Sequence, residues 1–278
     1  MKIFASPFRL SLVKTVGNIV IAPFGQVEFR HFFLADIFCS AKQMFFDTAT
    51  IMCLAQEGEE CLNYDTYIYV LGVLPFWWRF WQCIHRYYED RTNTTQLWNA
   101  AKYYTGIASA LLLINYSEKG GRFNDDGCFT SQYCLWIIMQ MINSIYSYSW
   151  DLYMDWGLLR SKEAGTYGLR HKISYHKAFY YWAIVSNLLL RGTWLITLTV
   201  SEENYFYSWS WVSIAGMLEL LRRWQWALIR IENEQLNNYE KYRMLLTIPD
   251  INDYHEDNNN EEVSYKRMID NVFDKIQN

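Results

Sequence analysis

Long apolar segments free of helix-breaking residues alternate with short polar connections along most of the chain. Six of these segments each supply about the 20 residues that a helix needs to cross a bilayer at about 1.5 Å rise per residue. The six segments are Phe32–Gln56, Thr66–His85, Leu97–Tyr116, Phe129–Asp155, Ala178–Val200 and Tyr205–Arg230. The chain has 4 prolines, and long stretches without proline or glycine favour helices. The pattern therefore predicts an all-α fold.

The distribution of basic residues separates a membrane protein from a soluble helical bundle. Connections 56–65 and 201–204 contain no Lys or Arg, and connection 117–126 contains two. The alternate connections, 86–91 and 159–177, are rich in Lys and Arg. Basic connections on alternate sides follow the positive-inside rule. We therefore predict a polytopic membrane protein with about six transmembrane helices in one bundle.

The two ends of the chain differ from this central bundle. Leu10–Phe24 is interpreted as an interfacial amphipathic helix that Pro23 ends, or as a seventh short span that would place the N-terminus outside. The interfacial interpretation preserves the alternation of basic connections. The predicted organisation is an N-terminal amphipathic or interfacial segment (residues 1–30), a transmembrane domain (31–248) and an acidic, disordered cytoplasmic tail (249–278).

Composition adds to this picture and excludes one class of partner. Aromatic residues make up 18% of the chain, with 13 Trp and 22 Tyr, and both residue types are favoured at membrane interfaces. The formal net charge is −4, and the basic residues are offset by acidic ones. The chain therefore lacks the basic footprint of a nucleic-acid-binding protein.

Motifs of enzymes and cofactor sites are missing from the sequence. No Walker loop, GxGxxG, HExxH or GxSxG element occurs. The six cysteines show no CxxC pair or metal spacing, so we interpret them as buried free thiols rather than disulfides or metal ligands. We predict no enzyme activity, no metal and no cofactor. An intramembrane transferase that uses Asp151 and Asp155 as acid and base is the enzymatic alternative.

Charged and polar side chains recur at helical spacing inside the apolar segments. A charge in hydrocarbon costs at least about 2.5 kcal/mol, so it faces a partner or a water-filled path. The residues that share helix faces in this way are Asp36, Asn99, Lys102, Asp151, Asp155, Arg191, Trp194, Glu219, Arg222 and Arg223. Guanidinium groups suit bidentate binding of an oxyanion. The pattern predicts one polar lane for an oxyanion, and buried structural salt bridges are the alternative.

Six sequence blocks carry a resemblance to a known family. They are APFGQVEFRHFFLADIFCS, LPFWWRFWQCIHRYYED, LWNAAKYYTGI, WDLYMDWGLL, LLLRGTW and ELLRRWQWALIRIENEQLNN. Together they resemble the EXS domain of eukaryotic phosphate exporters, over about residues 22–251. The resemblance implies a helical membrane protein that moves inorganic phosphate out of the cytosol or across Golgi-type membranes.

The family's phosphate-pathway residues carry over by motif. They correspond to Asp36, Lys102, Asp151, Asp155, Arg191, Trp194, Glu219, Arg222 and Arg223, with Arg91 and Asn99 as weaker candidates. We expect the three arginines of this set to replace the hydration shell of phosphate and Lys102 to add charge at the entry. We expect the carboxylates to orient the arginines or accept phosphate protons, and Trp194 to form an apolar wall or gate. Cys39 stands where the family usually has Asn, and NAAKY replaces NAGKY.

The resemblance also sets expectations about partners and location. The chain starts too late to include the SPX domain and the extra spans of full-length exporters, so it is similar to short members linked to retention of Golgi and ER proteins. A reduced exporter, or a fragment completed by a homodimer, is the other interpretation. We expect a multi-pass protein of a Golgi-type endomembrane or the plasma membrane, with lipid and phosphate as partners and a cytoplasmic C-terminus. The rival function is a trafficking or retention factor whose intramembrane charges are structural.

Overall fold

Helices form every regular element in the part of the chain that the structure describes. The computed structural model describes residues 7–22, 24–25, 27–57, 65–118, 122–123, 127–159, 166–195, 198 and 205–245. The α-helices in chain order are α1 (Pro7–Val20), α2 (Phe29–Ser40), α3 (Lys42–Glu57), α4 (Asp65–Glu89), α5 (Thr95–Glu118), α6 (Ser131–Trp150), α7 (Lys177–Arg191) and α8 (Tyr205–Leu245). The all-α prediction is confirmed. The predicted tail, residues 249–278, lies outside the described residues.

Three of the predicted segments differ from the helices that form. The segment Phe32–Gln56 divides at Ala41 into α2 and α3. The segment from Ala178 ends early, because α7 stops at Arg191 and the Gly192 amide closes the helix on the carbonyl of Leu189, at 3.0 Å. The last segment is longer than predicted, since α8 continues to Leu245.

Three shorter elements complete the described fold. A π-helix, Asp151–Asp155, follows α6 directly, and 3₁₀ turns form at Thr166–Gly168 and Thr193–Leu195. Among the residues described, no helix is both long enough and apolar enough for a membrane span. Contacts divide the chain into two units, Met1–Asn233 and Glu234–Asn278, and the site described below lies in the first.

Two clusters of buried side chains hold the helices of the first unit together. The larger cluster joins the end of α6, the following loop, α7 and α8 through Leu152, Trp156, Leu158, Leu169, Tyr180, Ala183, Trp226 and Ile229. Trp156 and Trp226 are fully buried, and Phe33 of α2 stacks on Trp226 with ring centroids 5.7 Å apart. Burial of one such large apolar side chain contributes about 1.5–3 kcal/mol. This cluster therefore fixes α2, α7 and α8 around the end of α6.

The smaller cluster joins α2, α4 and α5. Its buried members are Cys39, Cys83, Ala100 and Tyr103. Gly106 brings α4 and α5 close together, because a Cβ atom at this position would lie 2.8 Å from the Phe76 ring. The two helices therefore pack at a distance that only glycine permits there.

The cysteines depart from the sequence interpretation at three positions. Cys39 and Cys83 are buried free thiols, as predicted. Cys128 and Cys134 are free but exposed, and Cys53 is disulfide-bonded. The expectation of buried free thiols was therefore wrong for these three, because neither exposure nor pairing follows from cysteine spacing alone.

Replacing Gly106 by alanine should destabilise the protein. The added methyl group overlaps the Phe76 ring, and overpacking of this kind costs about 1–3 kcal/mol, more than the roughly 1 kcal/mol that alanine gains over glycine in a helix. We expect Gly106→Ala to lower the thermal unfolding midpoint of the purified protein. Gly17→Ala is the matched control, because nothing lies within 4 Å of a Cβ atom there, and it should raise the midpoint. A stabilised Gly106→Ala protein would contradict the close packing of α4 on α5.

Candidate functional site

The serine that ends α2 connects this helix to the charges of α8. Ser40 is buried, and its hydroxyl donates to Glu219 Oε1 at 2.6 Å. The same oxygen accepts hydrogen bonds from Arg223 Nε at 2.7 Å and from Arg222 Nη2 at 3.3 Å. A single hydroxyl therefore brings three charged groups of α8 to the break between α2 and α3.

Arg222 is the most connected charge of the site. Its side chain is 2% exposed, and its Nε and Nη2 atoms both bond the carboxylate of Glu219, with the Nε bond at 2.8 Å. Its Nη1 atom donates to Asn187 Oδ1 at 3.3 Å and lies 3.5 Å from Asp151 Oδ2. A buried guanidinium needs this number of acceptors, because each unmet donor there costs free energy.

Asp151 collects donors from α7 and α8 at the start of the π-helix. Its Oδ2 atom accepts hydrogen bonds from Asn187 Nδ2 at 3.0 Å and from Arg191 Nη2. The backbone amide of Trp156 bonds the Asp151 carbonyl at 2.8 Å, five residues back. Short π-helices of this kind are frequent at functional sites.

Asp155 has a different environment, although it lies only four residues further along. Its Oδ2 atom accepts a hydrogen bond from Trp226 Nε1 at 3.0 Å. Its Oδ1 atom lies 3.7 Å from Arg230 Nε. Both aspartates lie on the π-helix rather than on a regular α-helix. The backbone carbonyl of Asp155 accepts a hydrogen bond from Asn233 Nδ2 at 3.0 Å.

Asp36 forms a buried ion pair with α4. Arg79 Nε donates to Asp36 Oδ1 at 2.7 Å, and both side chains are less than a tenth exposed. The hydroxyl of Tyr103 bonds the same oxygen. The Arg79 guanidinium lies over the rings of Tyr103 and Phe32, at 4.6 and 5.4 Å from their centroids. This pair ties α2, α4 and α5 together beside the α8 charges.

Lys102 of α5 is buried without a carboxylate in contact. Its side chain is 8% exposed, and its ammonium lies over the rings of Tyr103 and Trp150, at 4.4 and 5.2 Å. Within the described residues, no carboxylate oxygen lies within 4.0 Å of this ammonium and no acceptor bonds it. The carboxylates that attract it from a greater distance are Asp155, Asp36 and Asp151.

Arg223 is the second basic residue that lacks a carboxylate in contact. Its guanidinium lies over the Trp226 ring, 4.4 Å from the centroid, and its Nε donates to Ser40. In the described part of the chain, no carboxylate oxygen lies within 4.0 Å of it. Asp36 attracts both Arg223 and Lys102 electrostatically, without a contact to either among the described residues.

The structure brings most of the sequence-predicted residues into one charge network. Its members from the prediction are Asp36, Lys102, Asp151, Asp155, Arg191, Glu219, Arg222 and Arg223. Trp194 packs edge-on against Trp136 of α6, with centroids 6.1 Å apart. Asn99 lies one helical turn before Lys102, and its buried Oδ1 atom has no hydrogen-bond partner in the described part of the chain.

Arg91 is the one predicted residue that the structure places elsewhere. It is exposed in the connection between α4 and α5, with its guanidinium over the ring of Tyr88 at 5.0 Å. The residue of α4 that belongs to the network is Arg79, which lies more than two helical turns before that connection. A loop arginine beside the helix end is solvated and needs no buried partner, which explains this placement.

Sequence reasoning missed three of the network's members. Arg79 lies inside the apolar segment Thr66–His85, and a buried Asp36 requires a cation nearby. Asn187 lies one turn before Arg191, a spacing that places both on one face of α7. Tyr103 follows Lys102 directly, and no periodicity marks it. The first two could have been found by asking which residues satisfy each buried charge.

The hydrogen-bonding capacity of the network is mostly but not completely used among the described residues. Within the residues that the structure describes, Arg191 Nε is a buried donor without a hydrogen-bond partner, and Asn99 Oδ1 is a buried acceptor without one. The described residues contain no group of three His, Cys, Asp or Glu side chains that could hold a metal ion. The arrangement can therefore bind a ligand that both accepts and donates hydrogen bonds.

A double-mutant cycle should reveal the buried pair of Asp36 and Arg79. Removing one member of a buried ion pair costs about 3–5 kcal/mol, because the other charge stays buried. We expect Asp36→Asn and Arg79→Gln each to lower the stability by this amount, and the double variant to lose clearly less than the sum. The exposed pair of Arg30 and Glu28, at 2.8 Å, is the control, and Arg30→Gln should change stability by less than about 1 kcal/mol. Thermal unfolding measures all four variants, and strict additivity would contradict a shared buried pair.

Comparison with known proteins gives the family. The sequence profile of the EXS family matches residues 1–236. SPX and EXS domain-containing protein 1 of Dictyostelium discoideum is 32% identical over 252 residues, which cover 87% of this chain and 27% of that protein. Phosphate transporter PHO1 homolog 1 of Arabidopsis thaliana is 32% identical over 260 residues, covering 90% of this chain and 32% of the relative.

A vertebrate relative gives the same result. The xenotropic and polytropic retrovirus receptor 1 homolog of Xenopus laevis is 32% identical over 265 residues, which cover 89% of this chain and 38% of that protein. The chain thus spans only about a quarter to two-fifths of the length of these relatives. The profile match covers the large majority of the residues, so the chain belongs to the EXS family.

Proposed function

We propose that this chain carries inorganic phosphate across a membrane and that the charge network binds the ion on its way. The observation that carries the proposal is Lys102, a buried ammonium with no carboxylate or acceptor in contact among the described residues. An unpaired buried ammonium is costly, and a bound anion supplies the missing counter-charge. Relatives named phosphate transporters support phosphate as that anion.

The basic residues of the network divide into two groups. Arg191 and Arg222 are held by Asp151 and Glu219, which fixes their orientation and neutralises much of their charge. Lys102 and Arg223 have no carboxylate in contact in the described part of the chain. We assign the two unpaired cations to direct contact with the ion, and the two paired arginines to a fixed rim of donors around it.

The unsatisfied atoms favour phosphate over a fully deprotonated oxyanion. The buried Nε atom of Arg191 is a donor that a phosphate oxygen can satisfy, whereas the buried Oδ1 atom of Asn99 is an acceptor. Monobasic phosphate carries hydroxyl donors for such an acceptor, and sulfate at neutral pH has none. The pair of unmet groups therefore matches a protonated oxyanion.

Three observations support placement of the network in a membrane. The basic connections alternate along the sequence as the positive-inside rule requires. Helix α6 exposes an apolar stripe, formed by Leu135, Ile138, Met141, Ile142 and Ile145. Cys53 is disulfide-bonded and lies just before the connection 56–65 that lacks basic residues, and disulfides persist in oxidising compartments. We propose a six-span protein of a Golgi-type endomembrane with a cytoplasmic C-terminus.

Phosphate flux into proteoliposomes tests the function. A lost charge-assisted contact costs about 1.5–3 kcal/mol, so Lys102→Gln and Arg223→Gln should each reduce radiolabelled phosphate flux by at least about tenfold. Arg30→Gln removes an exposed charge outside the network and should leave flux unchanged. Absence of phosphate flux with the unaltered chain, or equal flux in all three variants, would contradict the proposal and favour a retention factor with structural charges.

Thiol labelling in sealed vesicles tests the proposed orientation. Cys128 is a free, exposed thiol in the connection between α5 and α6, and Thr92 is exposed in the connection between α4 and α5. In a Cys134→Ser background, we expect a membrane-impermeant reagent to label Cys128 from the lumenal side and the thiol of Thr92→Cys from the cytoplasmic side. Labelling of both thiols from one side would contradict the six-span arrangement.

A further inference from the structure

The four carboxylates of the network are compensated to very different degrees. Three of them accept a short hydrogen bond from a guanidinium and a second bond from a neutral donor. Asp36 is held by Arg79 and Tyr103, Asp151 by Arg191 and Asn187, and Glu219 by Arg222 and Ser40. These three carboxylates therefore have their charge offset by direct contacts.

Asp155 lacks this compensation. Its side chain is 15% exposed, and its Oδ2 atom accepts one hydrogen bond, from the neutral indole of Trp226 at 3.0 Å. Its Oδ1 atom accepts no hydrogen bond from the described residues, and the guanidinium of Arg230 lies 3.7 Å away. Burial penalises the charged form of a carboxylate, and only close cations and donors offset that penalty. Asp155 has the weakest offset in the network and an open oxygen.

Charged groups on each neighbouring element face Asp155. Lys102 of α5 is its strongest electrostatic attraction, and Asp155 is in turn the strongest attraction at Lys102. Arg230 of α8 adds attraction, while Asp151, on the same π-helix, and Asp36, on α2, repel it. The Lys102 ammonium, which no carboxylate of the described residues contacts directly, therefore helps Arg230 to keep Asp155 ionised.

We propose that Asp155 is a proton-binding site linked to the anion site at Lys102. When phosphate binds, its charge offsets the Lys102 ammonium, and Asp155 loses that part of the attraction that keeps it ionised. A proton from solvent then bonds to Asp155 Oδ1, Lys102 keeps its own protons, and the proton returns to solvent when phosphate leaves. The inference rests on the proposed phosphate binding and adds proton coupling to it.

The linkage is reciprocal and has a measurable sign. If phosphate favours the protonated form of Asp155, then the protonated form must favour phosphate by the same factor. Phosphate transport would accordingly be accompanied by a proton that belongs to the protein rather than to the phosphate. This proton distinguishes the proposal from simple conduction of phosphate through a static ring of charges.

Calorimetry of phosphate binding to the purified full chain measures the proton directly. Titrations in two buffers of different ionisation enthalpy give the number of protons taken up per phosphate bound. Asp155→Asn is nearly isosteric and keeps an acceptor for the Trp226 indole. We expect the unaltered chain to take up about one proton more than Asp155→Asn, since any proton contributed by phosphate itself is the same in both. Asp90→Asn, in the exposed connection after α4, is the matched control and should behave like the unaltered chain.

A spectroscopic measurement covers the case in which Asp155→Asn binds no phosphate. Infrared difference spectra of the unaltered chain, with phosphate minus without, should show a new protonated carboxyl band, and Asp155→Glu should shift it. Equal proton uptake in both proteins, or no such band, overturns the proton site and leaves phosphate transport standing. Absence of phosphate binding to the unaltered chain overturns phosphate transport, and the linked proton site with it.

Discussion

Burial of the Arg222 guanidinium is the constraint on which the site depends. A guanidinium cannot lose its charge, so once it leaves water its five N–H donors must be met by acceptors from neighbouring elements. Glu219, on the same helix, accepts a hydrogen bond from Arg222 Nε. The two Nη atoms of Arg222 contact Ser40, Asn187 and Asp151. These partners lie at the end of α2, in the middle of α7 and at the start of the π-helix. The need to satisfy one side chain thus fixes three elements against α8.

A second buried cluster shows what purely structural charge looks like in this fold. Glu232, further along α8, accepts hydrogen bonds from Arg170 at 2.7 Å, from Tyr180 at 2.6 Å and from the Ser174 amide at 2.6 Å. Its carboxylate has a cation and two further donors, and it joins a loop and α7 to α8. Lys102 is equally buried but has no such partner among the described residues. The contrast within one molecule distinguishes a buried charge whose partners are all in the packing from one to which we assign a ligand in the proposed function.

The spacing of residues predicted the helices and most of the site, and tertiary contacts decided the rest. Breaker-free segments and the face shared by Glu219 and Arg222 follow from local rules that the sequence displays. The division of α2 from α3 at Ala41 does not follow from local rules, because no Gly or Pro lies there. The Ser40 hydroxyl beside this break bonds residues of α8, which are distant in sequence. The partner of Asp36 is Arg79, which lies 43 residues further along the chain. Local periodicity can predict which face of a helix carries a charged side chain, but it cannot predict which residue forms its ion pair or hydrogen bond.

The number of unpaired cations sets how tightly the site can hold an ion. If each charge-assisted contact contributes about 1.5–3 kcal/mol, two unpaired cations give roughly 3–6 kcal/mol, which corresponds to dissociation constants from above the millimolar range to tens of micromolar. Four unpaired cations would give about 6–12 kcal/mol and approach nanomolar binding, too slow to release an ion repeatedly. Arg191 and Arg222 are already paired with the carboxylates of Asp151 and Glu219. They are therefore not counted as unpaired cations in this binding free energy. Pairing Arg191 and Arg222 with carboxylates is therefore the condition under which the proposed anion site could also release its ion.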